Sequence, residues 1–147
     1  MIEKRLEHFL LYELDDDWTS LGQFVGVTRR VSPAQSSLDR VGEIIEEFAR
    51  CGLMTIGGWS TETGTWEPWN VPLSEAMDRI ANGYDGEVGY RNATERQLGS
   101  TEVFRGEITA EGRTLLAELG SPYEKYGDPW AGEGMLAAEG DFPPWQQ

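Results

Sequence analysis

Leu6, Phe9, Leu10 and Leu14 recur at the spacing of one helical face while Glu3 and Glu7 fall opposite, which predicts an amphipathic helix from Ile2 to about Leu14. Asp15, Asp16 and Asp17 follow it. Three acids oppose the negative end of a helix dipole but suit the approach to the next N-terminus, so the run reads as a junction. Ser20 with Gln23 makes a capping box and opens a second helix, Leu21 to about Val27, with Leu21, Phe24 and Val25 turned inward. The third helix has the clearest boundary signals: Ser32 as cap, Pro33 at the first helical position, Gln35 as the cap's partner and Gly52 as the stop. It is expected over Pro33 to Cys51, burying Leu38, Val41, Ile44, Ile45 and Phe48 and leaving Asp39, Arg40, Glu43, Glu46, Glu47 and Arg50 to solvent.

Beyond Gly52 the period shortens to that of a strand. LMTIGGWS and TWEPWNV flank Thr61-Glu62-Thr63-Gly64, which predicts a hairpin of Leu53 to Ser60 with Thr65 to Val71. A fourth helix follows Pro72, from Leu73 to about Ala81, and stops at Asn82-Gly83. From Gly83 to Ser100 the glycines favour loop, interrupted by a short strand near Glu87 to Arg91 and a capped turn at Thr94 to Gln97. Glu102 to Ile108 reads as one more strand, and Thr109 caps a last helix, Ala110 to Leu119, closed by Gly120. The remainder, 121–147, mixes Gly, Pro and acids with Tyr123, Tyr126, Trp130, Phe142 and Trp145. Aromatic rings bury large areas, so this tail is expected to dock on the domain instead of trailing as a linker. The fold expected is α+β: one winged helix-turn-helix-like domain over 1–120, with the hairpin as wing, an extra strand and further helices, followed by the aromatic tail.

Charge changes what such a scaffold can hold. Asp and Glu number 26 against 12 Lys and Arg, a formal charge of −14, which repels phosphates and attracts cations. In a winged helix the third helix enters the DNA major groove, against one phosphate charge per roughly 1.7 Å. A Glu about 6 Å from a phosphate in water costs roughly 0.7 kcal/mol, so Glu43, Glu46 and Glu47 together outweigh Arg29, Arg30 and Arg40 near the helix start. Nucleic acid is therefore disfavoured as a partner. No stretch approaches a membrane span, and the apolar run at the N-terminus is short and interrupted by charge, unlike a signal peptide. Cys51 is the sole cysteine, expected as a small buried hydrophobe in a reducing compartment, so a cytoplasmic location is expected. Ten of the twelve basic residues are Arg, which fits GC-rich coding of the actinobacterial kind.

A helix face carrying three glutamates is ordinarily just a solvated face. Its place here, where a related scaffold meets a polyanion, gives it a second reading as a surface for a basic partner. Trp59, Trp66 and Trp69 are ordinarily cross-strand packing, but alternation separates Trp66 from Trp69 unless Pro68 bends the strand, and an exposed Trp beside Glu62 and Glu67 suits a cationic interface. Catalysis finds no constellation: His8 is the only histidine, and one His with one Cys makes neither a nucleophile pair nor a zinc site. Asp15 to Asp17 lack the alternating ligands, glycine and distal Glu of a calcium loop. No enzyme, cofactor or metal is expected.

HFLLYELDDDWTSLGQF, the helix end FARCGLMTIGG, TWEPWNVPLSEAMDRI and ITAEGRTLLAEL resemble, in layout and over roughly residues 2–120, small acidic actinobacterial winged-helix proteins of unassigned or toxin-immunity type. The resemblance implies a non-catalytic immunity protein that neutralises a basic toxin domain by covering its active site with an acidic surface. The residues expected to make that contact are Asp39, Glu43, Glu46, Glu47, Glu62, Trp66 and Glu67. The alternative is a winged-helix DNA-binding transcriptional regulator, with Arg29, Arg30 and Arg40 on backbone phosphates.

Overall fold

The computed structural model describes residues 2–131. Helix α1 (Lys4–Asp16) turns Leu6, Phe9, Leu10, Leu11 and Leu14 into the core and ends at the extended Asp17, whose Oδ1 accepts the Trp18 amide at 2.7 Å. Strand β1 is the dipeptide Thr19–Ser20, and Ser20 also caps helix α2 (Leu21–Val31) through the expected box with Gln23. This helix runs on past Val27, because Thr28 and Val31 continue its buried face and the Thr28 hydroxyl donates to the Phe24 carbonyl at 2.7 Å.

The third helix begins later than expected. Pro33–Gln35 make a single 3-10 turn, and helix α3 (Leu38–Arg50) starts after Ser37, whose hydroxyl accepts the Arg40 amide at 3.2 Å. Ser32 is instead buried, its hydroxyl donating to Glu3 Oε1 at 3.1 Å. Cys51 lies on the apolar stripe by spacing, yet its thiol is exposed. The helix stops at Arg50, and Gly52, at φ 77°, turns the chain away before the stripe reaches Cys51.

Strands β2 (Met54–Ser60), β3 (Thr65–Pro68) and β4 (Arg105–Ile108) complete a four-stranded antiparallel sheet in the order β1-β4-β2-β3. Trp59 stands opposite Trp66 in the expected hairpin, and Pro68 falls on the edge strand, where a missing amide donor is tolerated. The extra strand enters between β1 and β2, so β2 is paired on both sides. Between β3 and β4 the chain builds helix α4 (Leu73–Asn82), a turn closed by mutual Tyr84–Glu87 backbone bonds of 3.0 Å, and helix α5 (Glu95–Ser100) with its Thr94–Gln97 box. Glu87 to Arg91 do not join the sheet. Tyr90 and Arg91 instead give their amides to the Ile80 and Ala81 carbonyls at 3.1 and 2.9 Å, tying this segment to the end of α4.

Helix α6 (Ala110–Leu119) is capped by Thr109 and ended by Gly120, as its signals predict. Helix α7 (Pro122–Tyr126) follows within the segment read as tail; Tyr123 packs edge-on against Phe9 at 5.3 Å, and Tyr126 and Trp130 also lie against the core. Phe142 and Trp145 lie outside the described residues. Phe24 meets Phe48 and Phe104 at 6.4 and 6.0 Å at the centre of this α+β domain.

Candidate functional site

Helix α4 lies along α3 and makes the outer face of the third helix one wall of a groove. Gly42 permits the close approach: a Cβ there would stand 2.7 Å from the Tyr90 hydroxyl. Asp39, Glu43 and Glu46 of α3 face Asp78 and Asn82 of α4 across a volume of about 480 Å³, with Tyr90 and Arg91 at one side. Among the described residues, four carboxylates thus meet one arginine in the lining. Arg40 Nη1 stands 3.1 Å from Glu43, and Arg50 Nη1 stands 4.0 Å from Glu46. Exposed pairs of this spacing are worth only about 0.3–0.5 kcal/mol, so they moderate the groove's field without abolishing it. Burial raises the Tyr90 phenol above its ordinary pKa; Arg91 opposes this, and Asp39, Glu46 and Glu43 add to it.

The other expected contact residues are dispersed. Glu47 is half-buried and outside the groove lining, and it interacts with Glu7 of α1, whose carboxyl pKa is raised first by burial and then by Glu47. Glu62 is exposed in the hairpin turn. Glu67 accepts hydrogen bonds from the Thr63 and Ser60 hydroxyls, which hold its carboxyl below the usual range. Adjacent on β3, Trp66 and Glu67 point to opposite faces of the sheet. Trp66 is half-buried, and the more exposed ring is its partner Trp59, at 50%.

Trp66 belongs to a second concavity of about 370 Å³, walled by Trp59, Trp66, Trp69 and Tyr84 and edged by Asp85, Glu87 and Glu102. Trp69 joins Trp66 there because β3 ends at Pro68, and the Trp69 amide then donates to the Ile56 carbonyl at 2.9 Å. The rings form two perpendicular pairs, Trp59 with Trp66 and Trp69 with Tyr84, each with centroids 5.5 Å apart. Arg79 stacks over Tyr84 at 3.9 Å and Trp69 at 4.9 Å, while Arg105 stacks over Trp66 at 4.7 Å and grips Glu102 with bonds of 2.8 and 2.9 Å. Tyr84, Asp85, Glu87 and Glu102 were not among the residues expected from the sequence. Their signal was Asp85-Gly86, a hairpin-turn pair, and both residues adopt positive φ, 52° and 82°.

His8 is buried, and its Nε2 donates to the Gly120 carbonyl at 2.7 Å, pinning α1 to the α6–α7 junction. Asp15 pairs with Arg113 at 3.2 Å. Among the described residues no group of three His, Cys, Asp or Glu is placed to hold a metal ion, and no helix is long and apolar enough to cross a membrane. Compared with protein-family models, with curated proteins and with solved structures, the chain matches none.

Proposed function

We propose that this chain is a non-catalytic protein-binding module whose acidic α3–α4 groove receives a basic segment of another protein, and that this partner is a toxin domain neutralised by covering its active site. One observation carries the reading: Asp39, Glu43, Glu46 and Asp78 converge on a single groove whose lining, among the described residues, holds one arginine, Arg91, in a chain of formal charge −14. Such a field accelerates encounter with a cationic surface and selects against anionic ones. The frame supports it as well. Helix, short strand, two helices and then antiparallel strands follows the order expected of a winged helix-turn-helix, in which α3 would take the recognition position. In this chain α4 and Tyr90 stand against that helix along its Asp39–Glu46 face.

The regulator alternative has less support. Arg29 is bound to Glu95 at 2.5 and 2.8 Å, Arg40 to Glu43 and Gln35, and Arg30 lies 5.3 Å from the Trp130 ring centre. The test is coexpression with each cationic toxin domain found among the products of neighbouring genes, comparing the native chain with an Asp39→Lys, Glu43→Lys, Glu46→Lys variant shown by circular dichroism to be folded. The native chain is expected to restore growth and to bind the domain with an affinity that falls as salt rises, and the variant to do neither. Equal protection by both proteins would remove the groove from the mechanism.

A further inference from the structure

We infer that the aromatic cavity between the β2–β3 hairpin and the Tyr84–Glu87 turn is a guanidinium-binding pocket. It shares no lining residue with the α3–α4 groove, so the inference goes beyond the reading above and stands apart from it.

The chain itself shows what these rings accept. Arg79 lies over Tyr84 and Trp69 while its Nη2 holds Glu75 at 3.0 Å; Arg105 lies over Trp66 while holding Glu102. Twice, then, the same unit is built: a guanidinium plane on an aromatic face with a carboxylate at its edge. The cavity presents that unit a third time. Trp59, Trp66, Trp69 and Tyr84 supply the rings, Asp85 and Glu87 supply the carboxylates, and no Arg or Lys lines it among the described residues. Glu102 is already engaged by Arg105, whereas Asp85 is exposed at the cavity's edge, and Glu87 gives only Oε1 to the Glu102 amide, at 2.9 Å.

The ring faces are electron-rich and the rim is anionic, so an anion is repelled and a neutral apolar ligand leaves two carboxylates desolvated. Among cations, a guanidinium is planar, weakly hydrated and able to pair with carboxylates while stacking, which a compact ammonium does not match. The rings and rim fix the chemistry of the ligand group. Two sources carry it, an arginine side chain within a protein and a free guanidino compound.

The probe is N-acetyl-L-arginine methylamide, titrated into the full chain with the indole N–H signals of Trp59, Trp66 and Trp69 followed by NMR; its lysine and citrulline counterparts and free L-arginine are run alongside. Saturable shifts are expected with the arginine probe, at least about fivefold weaker binding with the lysine probe, and none with citrulline, which keeps the shape and loses the charge. Asp85→Asn with Glu87→Gln is an exposed change expected to abolish the response without altering the melting temperature, and separately Trp59→Ala, which also removes the ring pair with Trp66, is expected to abolish it in a chain that circular dichroism shows to be folded. Free L-arginine binding as well as the blocked probe identifies a small-molecule ligand, and preference for the blocked form identifies a protein side chain; either supports the pocket. No saturable shift, an equal response to citrulline, or full binding by the folded double carboxylate variant overturns it. The Asp39→Lys, Glu43→Lys, Glu46→Lys variant should titrate like the native chain, so equal toxin protection by variant and native chain with arginine binding intact sinks the groove reading alone, and loss of protection by the variant with no saturable arginine shift in either protein sinks only this one.

Discussion

Replacing Gly58 by alanine puts a methyl group under the Trp69 indole. The new Cβ would stand 2.6 Å from Nε1 and 3.1 Å from Cε2 and Cζ2, where ordinary contact begins at 3.4 Å, so the ring must retreat by 3.4 − 2.6, or about 0.8 Å. It has little freedom to do so, because it also packs on Tyr84 and lies beneath Arg79. Overpacking of this kind costs about 1–3 kcal/mol, and stiffening the unfolded chain returns about 0.4–1 kcal/mol, for a net loss of roughly 0.5–2 kcal/mol. For a domain of this size that lowers Tm by roughly 2–7 °C. Far-UV circular dichroism measures the melt without relying on the Trp residues, and the Trp69 indole N–H signal reports the ring. A melting temperature at or above that of the native chain, with the indole signal unmoved, would refute the claim that Gly58 sets the position of this cavity wall.

Gly26→Ala should act in the opposite sense: a Cβ there meets nothing within 4 Å inside α2, so thermal melts should show a gain of about 0.5–1 kcal/mol. Phe24→Ala removes the ring that joins Phe48 to Phe104 and should cost about 3–5 kcal/mol in urea unfolding, against under 1 kcal/mol expected for an exposed surface change. Glu7 titrates above its ordinary value of 4.5 in the folded chain, first because it is partly buried and next because Glu47 is near, so its ionised form opposes folding. Stability tied to this group is complete below the unfolded value and is lost as pH rises through the higher folded one. Glu7→Gln should therefore melt above the native chain at pH 8, with the gap narrowing as pH falls towards 4.5, and a gap constant with pH would show that burial and Glu47 are not the cause.

Local chemistry was legible in the sequence, and long-range placement was not. The Ser20–Gln23 and Thr94–Gln97 boxes, Thr109 and the glycines at 52, 64 and 120 mark boundaries through bonds spanning a few residues, and the structure uses each of them. The sequence marks Ser32 as the cap, but Ser37 takes that place, because Ser32 is committed to a tertiary bond with Glu3 that no local pattern displays. The candidate groove was half visible. At 100° per residue Asp39, Glu43 and Glu46 fall within about 60° of one another and Glu47 only about 40° beyond Glu43, so helix geometry alone does not set Glu47 apart; its partial burial beside Glu7 of α1 does. That Asp78 comes opposite them depends on α4 packing on α3, and that Tyr84 joins the three Trp rings depends on the Asp85-Gly86 turn.

Those two dependences trace to one topological fact. Strand β4 returns to the sheet between β1 and β2, so everything between β2 and β4 is held at both ends by the same strand pair and must fold over the sheet and α3 instead of standing out as a free hairpin. Within that segment α4 serves both candidate sites. Asp78 and Asn82 line the groove, while Arg79, between them in sequence, stacks on Trp69 and Tyr84 behind the cavity. Ala76, Ile80 and Ala81 seat the helix in the core, and the Ile80 and Ala81 carbonyls receive the Tyr90 and Arg91 amides, so the groove wall, the cavity wall and the loop joining them rest on one buried helix face. The acidic groove and the aromatic cavity therefore differ in chemistry but share a support, and the substitutions that separate them are those on α3 and on the Asp85–Glu87 rim, not those on α4.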